Sequence, residues 1–247
     1  MFGLSVVLGD SIAGSTSMPV AVAVLLSYVS GSIPAAYLVG RARGIDLRQH
    51  GSGNLGATNV MRVLGTRVGA MVLLFDAAKG AAPVALLPRL VDVPWDDGRL
   101  IVALLCGSAA ILGHVRPVFL GFGKGGKGVA TASGVFVALA PVQMVLTVLV
   151  FCVVVLVSGY VSLGSLVGAT LLPALLAISV GWLSPLFWVS VCVGSFVFWT
   201  HRANIARLYR GEEHRFGAAG GRRPNPTAAA IIGVLVTLAA LVAARFA

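Results

Sequence analysis

Charge is what this chain has least of. Only 11% of its 247 residues are Asp, Glu, Lys or Arg, where a soluble domain carries about 25%. Hydrophobic residues make up 58% of the chain and the mean hydropathy is +0.97. An ordinary water-soluble domain is thereby excluded, and a polytopic membrane protein is the class that fits. Acids are scarcer than bases, 8 against 18, giving a formal net charge of +10. The basic residues lie in short loops beside apolar runs, so they suit orientation in a bilayer and attraction to anionic headgroups or substrates; no nucleic-acid partner is expected. Cysteine is almost absent. Cys106, Cys152 and Cys192 each sit inside an apolar run with no CxxC spacing, which excludes a thiol metal or redox motif and leaves packing. No Cys/His cluster has ligand spacing and no Ser-His-Asp arrangement is visible, so neither metal nor cofactor is expected. A positively charged region ahead of the first apolar run is also missing, and no cleaved signal peptide is expected.

At about 20 apolar residues per crossing, up to about eight spans fit in the length. The runs predict spans at about 18–39, interrupted by Gly31-Ser32-Ile33-Pro34, at 68–90 and at 100–120. From Val129 to Thr200 the chain is almost uncharged. Pro141, Ser158-Gly159 and Leu183-Ser184-Pro185 divide that stretch into four shorter helices at about 129–140, 142–158, 161–180 and 184–200. A last apolar helix is expected at about 227–244, in a segment running from 226 to 247. Three basic loops separate these runs, at 41–67, 113–128 and 201–223, whereas the 91–99 connection is net acidic. The positive-inside rule puts all three loops in the cytoplasm and the 1–17 segment outside. An even number of crossings must separate the second and third loops, and four short helices meet that condition. The expected fold is an all-α integral membrane bundle of seven core transmembrane helices with an extra C-terminal one.

Two glycine-rich stretches interrupt the apolar chain. In the first, Gly51-Ser52-Gly53-Asn54-Leu55-Gly56-Ala57-Thr58-Asn59, bare backbone alternates with small hydrogen-bonding side chains, and Arg62 follows with a bidentate cation suited to phosphate or carboxylate. The second, Gly121-Phe122-Gly123-Lys124-Gly125-Gly126-Lys127-Gly128, fits the spacing of a nucleotide P-loop. It has Gly128 where Mg²⁺ binding needs Ser or Thr, and no strand precedes it, so an anion nest with Lys127 as counter-charge is the better reading. The third loop opens His201-Arg202-Ala203-Asn204, which places an imidazole and an amide on one helical face. Asp76 and Lys79, three residues apart inside the second span, read equally as a structural ion pair or as substrate ligands. His114, beside Gly113 and near Pro117, reads better as a satisfied core histidine than as a residue that orients the second loop.

These blocks occur in an order that resembles a known family. Gly31-Ser32-Ile33-Pro34, Gly44-Ile45-Asp46-Leu47-Arg48, the Gly51–Val60 stretch, Gly113-His114 with Pro117-Val118-Phe119, Gly125-Gly126-Lys127-Gly128-Val129-Ala130-Thr131, and His201-Arg202-Ala203-Asn204-Ile205 with Arg207-Leu208 together resemble the bacterial acyl-phosphate:glycerol-3-phosphate acyltransferases, from about residue 25 to 217. The resemblance implies a seven-helix inner-membrane acyltransferase domain, here 18–225, with its active site on the cytoplasmic face. It implies transfer of a fatty acyl group from acyl phosphate, not acyl-CoA or acyl carrier protein, to the sn-1 hydroxyl of glycerol 3-phosphate, giving lysophosphatidate and phosphate for phospholipid synthesis. Functional coupling to the enzyme that produces acyl phosphate follows from that donor. Carried across by motif, Ser52, Arg62, Lys127, His201 and Asn204 would bind glycerol 3-phosphate, with Ser52, Lys127 and His201 as the catalytic set. Gly53, Asn54, Gly56, Asn59, Gly125, Gly126 and Gly128 would hold the acyl phosphate. Three features depart from the pattern: Gly123 is an extra residue, Thr200 replaces a basic residue before the histidine, and the helix after Arg223 extends the core.

The residues agree with that chemistry on their own terms. Other glycerolipid acyltransferases use a histidine with an aspartate five positions later; here Leu55, Phe119, Ala206 and Ala219 occupy those places. A mixed anhydride carries a good leaving group, so positioning two anions and stabilising developing charge can supply most of the acceleration. A transporter for a phosphorylated solute is the competing class, but it would place its site near mid-membrane between repeated halves. No internal repeat is present. A non-catalytic scaffold that recruits anionic lipid would leave Ser52, Asn54 and Asn59 without a task.

Overall fold

The computed structural model describes residues 17–93 and 97–216; the expected 1–17 segment, but for Ser17, and the helix at about 227–244 lie outside the described residues. Among the described residues the chain is all-helical. Helix α1 (Val20–Ser32) and helix α2 (Ala35–Ala42) form the first crossing. Ile33 between them is extended, as the residue before Pro34 must be, so the crossing is two helices instead of one. Helix α3 (Ala57–Leu64) follows the first glycine-rich stretch and is amphipathic, a helical element inside what reads from sequence as a polar loop. Helix α4 (Thr66–Leu86) and helix α5 (Gly98–Val115) are long membrane helices, each extended by a short 3-10 turn. Pro117 stops α5 short of Leu120.

The stretch from 129 to 200 divides where the sequence predicts: helix α6 (Val129–Leu139), helix α7 (Pro141–Ser158), helix α8 (Val161–Ser179) and helix α9 (Pro185–Thr200). Pro141 and Pro185 each sit at the first position of a helix, where the missing N–H costs nothing. Ser184 caps α9 through Leu186 N–H, and Gly159, left-handed at φ 76°, ends α7. Helix α10 (Arg202–Arg210) is short and amphipathic and ends at a left-handed Gly211. Among the described residues five segments are long and apolar enough to cross a bilayer, and α6 and α9 are shorter apolar helices. The 11 residues of α6 span about 16 Å, roughly half of a hydrocarbon core of about 30 Å.

Close helix contacts position the loops. A Cβ on Gly31 of α1 would lie 2.0 Å from the Ala110 carbonyl oxygen of α5, and one on Gly134 of α6 would lie 1.9 Å from the Ala77 carbonyl oxygen of α4. Small residues at these crossings let backbones approach without a hydrophobic driving force from water. Two apolar clusters flank the result. One joins α2, the first loop, α3 and α4 through Ala36, Leu47, Leu55, Val60 and Val72, and the other joins α5 through α9 around Phe136, Met144 and Leu176.

Candidate active site

The first loop is organised by Asn59. Its Oδ1 accepts from Ser52 N–H at 2.8 Å, and its Nδ2 donates to the Leu47 and His50 carbonyls at 3.3 and 3.0 Å. The side chain is 1% exposed. Gly51, at φ +61°, must be bare because a Cβ would sit 2.3 Å from that same Oδ1. Asn59 therefore holds the loop in shape, and its polar atoms are spent within the protein. Asn59 also lines the cavity. Gly53 N–H donates to the His50 carbonyl at 3.1 Å, and Gly53 does not reach the cavity wall. Ser52, Asn54 and Gly56 do reach it, together with Thr58 and Arg62 on the exposed side of α3. Asn54 Oδ1 is buried without a protein partner.

The second loop is fixed to the end of α5. Gly125 and Gly126 donate their N–H groups to the Val115 and His114 carbonyls at 3.0 and 3.3 Å. Neither glycine lines the main cavity, and their bare Cα atoms permit close packing against His114 and Pro117. Gly128, left-handed at φ +84°, turns the chain into α6 and does line the cavity. The extra Gly123 is absorbed in a turn that starts at Pro117: Phe122 N–H bonds to the Pro117 carbonyl and Gly123 N–H to the Leu120 carbonyl. The Phe122 side chain is exposed.

The third element closes the site. His201 ends α9, 3% exposed, with Nδ1 2.8 Å from the Val197 carbonyl. That bond makes Nδ1 the protonated nitrogen and leaves Nε2 as a bare acceptor. Burial first, and the Lys127 charge second, push its pKa down to about 4, so the ring is neutral at physiological pH. Thr200 Oγ1 donates to the Lys127 carbonyl at 3.2 Å, which gives the departure from a basic residue a tethering role. Lys127 Nζ donates to Asn204 Oδ1. Asn204 Nδ2 donates in turn to Glu213 Oε1 at 2.6 Å, beside Ser162 Oγ at 3.0 Å, while Arg207 Nε meets Oε2 at 2.7 Å. Desolvation outweighs the nearby Glu213 charge and lowers the Lys127 pKa to about 8.

Glu213 is the functional residue that sequence reasoning missed. It is a carboxylate within a basic loop, and that was the available signal. Its side chain is 6% exposed, and it fixes which way the Asn204 amide faces. Asp76 and Lys79 form a buried ion pair at 2.7 Å, with Lys79 Nζ also 2.8 Å from the Ile33 carbonyl exposed by the break at Pro34, and Asp76 reaches the wall of the main cavity.

All three loops thus meet on one cavity of about 460 Å³. Its polar end carries Ser52, Arg62, Lys127, His201, Asn204, Arg207 and Glu213, Asp76 and His114 also reach it, and the rest of its wall is mainly apolar, from Phe136, Met144, Phe151, Leu172 and Val193 of α6 to α9. An excess of cations at the mouth of a greasy slot between membrane helices defines a membrane-embedded site for a molecule with an anionic head and an apolar tail.

Comparison with known proteins gives this class its family. The sequence model described as "Glycerol-3-phosphate acyltransferase" matches residues 21–211, and the chain belongs to that family. A glycerol-3-phosphate acyltransferase of Myxococcus xanthus is 48% identical over 198 residues, covering 78% of this chain and 97% of the relative. One from Rubrobacter xylanophilus is 43% identical over 198 residues, covering 80% and 96%. Among solved structures, the chain is similar to PlsY (YgiH), an integral membrane glycerol 3-phosphate acyltransferase, in its glycerol 3-phosphate form: TM-score 0.72, 37% identity, 80% of this chain and 96% of that one. The lysophosphatidic acid form of that protein matches at TM-score 0.70 and 36% identity, covering 80% and 95%. The chain is an integral membrane glycerol-3-phosphate acyltransferase of the PlsY family.

Proposed function

We propose that the acyl donor is an acyl phosphate, that the accepting group is the sn-1 hydroxyl, and that the products are lysophosphatidate and inorganic phosphate. The observation that carries this reading is the cationic end of the cavity. Arg62, Lys127 and Arg207 converge there against the Glu213 carboxylate that pairs with Arg207, a net positive charge that suits phosphate groups. In this reading Arg62, Lys127, Asn204 and Ser52 hold glycerol 3-phosphate. Asn54, Gly56 and Gly128, which also reach the cavity, approach the acyl phosphate, and the acyl chain lies in the slot between α6 and α9.

The reaction forms a bond from the glycerol hydroxyl oxygen to the acyl carbonyl carbon and breaks the bond from that carbon to the phosphate oxygen. Inorganic phosphate leaves with the electron pair, and a phosphate oxygen takes the hydroxyl proton. His201 Nε2 accepts a hydrogen bond from the hydroxyl and aims it. As a neutral ring with a pKa of about 4 it is a weak base, so orientation is its contribution. Lys127 and Arg62 stabilise charge as it develops on the leaving phosphate. The reading also includes a bacterial inner-membrane location with this face in the cytoplasm, an acyltransferase domain spanning 18–225, and supply of donor by an acyl-phosphate-producing enzyme.

The test is purified protein in detergent or lipid with acyl phosphate and glycerol 3-phosphate, phosphate release being followed. Release in equal amount to lysophosphatidate, abolished in Lys127→Ala, is the expected result. No release above blank, with Lys127→Ala indistinguishable from wild type, refutes it.

A further inference from the structure

Behind the second loop lies a buried polar cluster for which the reaction above has no task. Lys79 Nζ is 2.7 Å from Asp76 Oδ1, and His114 Nδ1 is 3.6 Å from the same oxygen. Lys79 also donates to the Ile33 carbonyl at 2.8 Å, and Ser30 Oγ donates to the Lys79 carbonyl at 3.3 Å. A small second cavity of about 10 Å³, lined by Asp76, Lys79, His114, Gly125 and Gly126, is the size of about one water. His114 Nδ1 makes no direct hydrogen bond within the protein, and Asp76 Oδ1, its nearest carboxylate oxygen, is met by the Lys79 ammonium. Buried ion pairs of this kind are weak contributors to stability, because desolvation offsets the attraction. Their use here is better sought in what they hold.

What they hold is Gly126. A Cβ there would lie 2.1 Å from His114 Nε2, with the next two nearest atoms also in that ring. The main chain of His114 and Val115 binds the amides of Gly126 and Gly125. Ring and backbone of His114 therefore bracket the residue immediately before Lys127. We propose that His114, anchored by Asp76 and Lys79, is the positioning residue for Lys127. The cluster links the break between α1 and α2, helix α4, the end of α5 and the second loop, and it sets where the ammonium meets the acceptor phosphate. This inference rests on reading Lys127 as a ligand of glycerol 3-phosphate.

The experiment is acyl transfer to radiolabelled glycerol 3-phosphate by wild type, Gly126→Ala, His114→Ala, the double variant and Asp76→Asn, each checked for a monodisperse elution profile. A misplacement of about 1 Å costs up to about a hundredfold, so His114→Ala and Gly126→Ala are each expected to raise the glycerol 3-phosphate KM by about tenfold, with the donor KM within about twofold. Because the methyl of Gly126→Ala collides with the ring and nothing closer, removing the ring accommodates it. The double variant is therefore expected to match His114→Ala instead of multiplying the two losses to about a hundredfold. Asp76→Asn shows the same KM split.

Multiplicative losses in the double variant overturn the proposal. So does a parallel change in kcat and both KM values, which marks general loosening. If His114→Ala fails to fold, His114→Asn, which keeps the packing and shortens the reach to Asp76, decides by the same KM split. Lys127→Met with an unchanged acceptor KM would instead remove the underlying assignment, a distinguishable failure.

Discussion

Alkaline pH should weaken the acceptor site well below the range where an ordinary lysine titrates. Lys127 is partly buried next to Arg207, Lys124 and Arg62, and its pKa is lowered to about 8, against 10.5 for a free side chain. The shift comes first from desolvation, which penalises the charged form, and Glu213 opposes it. Glycerol 3-phosphate is a dianion above its second pKa of about 6, so across the alkaline range only the protein changes charge. If binding needs the ammonium, the acceptor KM scales as one plus ten raised to pH minus pKa. The rise from pH 7 to pH 9 is then about tenfold for a pKa near 8, against about 3% for an unshifted lysine. Bound phosphate favours the protonated form, so kcat is expected to stay level over the same interval. Steady-state kinetics at saturating donor and constant ionic strength read this directly, and Lys127→Arg, which cannot deprotonate there, is expected to flatten the rise. An acceptor KM constant to about pH 9.5 in wild type would refute the assignment.

Glu213→Gln keeps the shape of the network but removes the charge that raises the Lys127 pKa, so the alkaline rise in acceptor KM is expected to begin below pH 8 in the same assay. Asn59→Ala leaves the Ser52 N–H unpaired and removes one bond each from the Leu47 and His50 carbonyls, at a cost of about 1–3 kcal/mol; a lower thermal midpoint in detergent, with reduced kcat/KM, is the expected readout. His201 is neutral above about pH 5 in the folded protein, given its pKa of about 4, so no acid limb near pH 6.5 should disappear in His201→Asn. That variant is expected to keep turnover within about tenfold of wild type, whereas a loss of about 10³-fold or more would mark an obligatory base.

The membrane class and the position of most helices were legible because apolar runs and prolines act locally: Pro34, Pro141 and Pro185 each break the chain where they stand. Helix α3 was hidden. Its first residues belong to a glycine-rich stretch, and its helical shape depends on packing Ala57 and Val60 against Leu47 and Val72. At the site, charge and spacing singled out Arg62, Lys127, His201 and Asn204, and the structure brings all four to one cavity. The glycines were less legible, because the sequence shows that a backbone is bare without showing where its amides point. Gly125 and Gly126 spend theirs on α5, and Asn59 spends its amide on its own loop. Glu213 was unreadable for a related reason: its importance lies in reaching Ser162, 51 positions earlier in the chain.

The central claim is the identity of the donor, and a direct competition tests it. Purified protein is given glycerol 3-phosphate with acyl phosphate, acyl-CoA or acyl carrier protein of one chain length, and the acylated product is mapped by position. The account predicts turnover with acyl phosphate alone, one phosphate released per 1-acyl product. Equal or faster turnover with acyl-CoA, releasing free thiol and no phosphate, would contradict it.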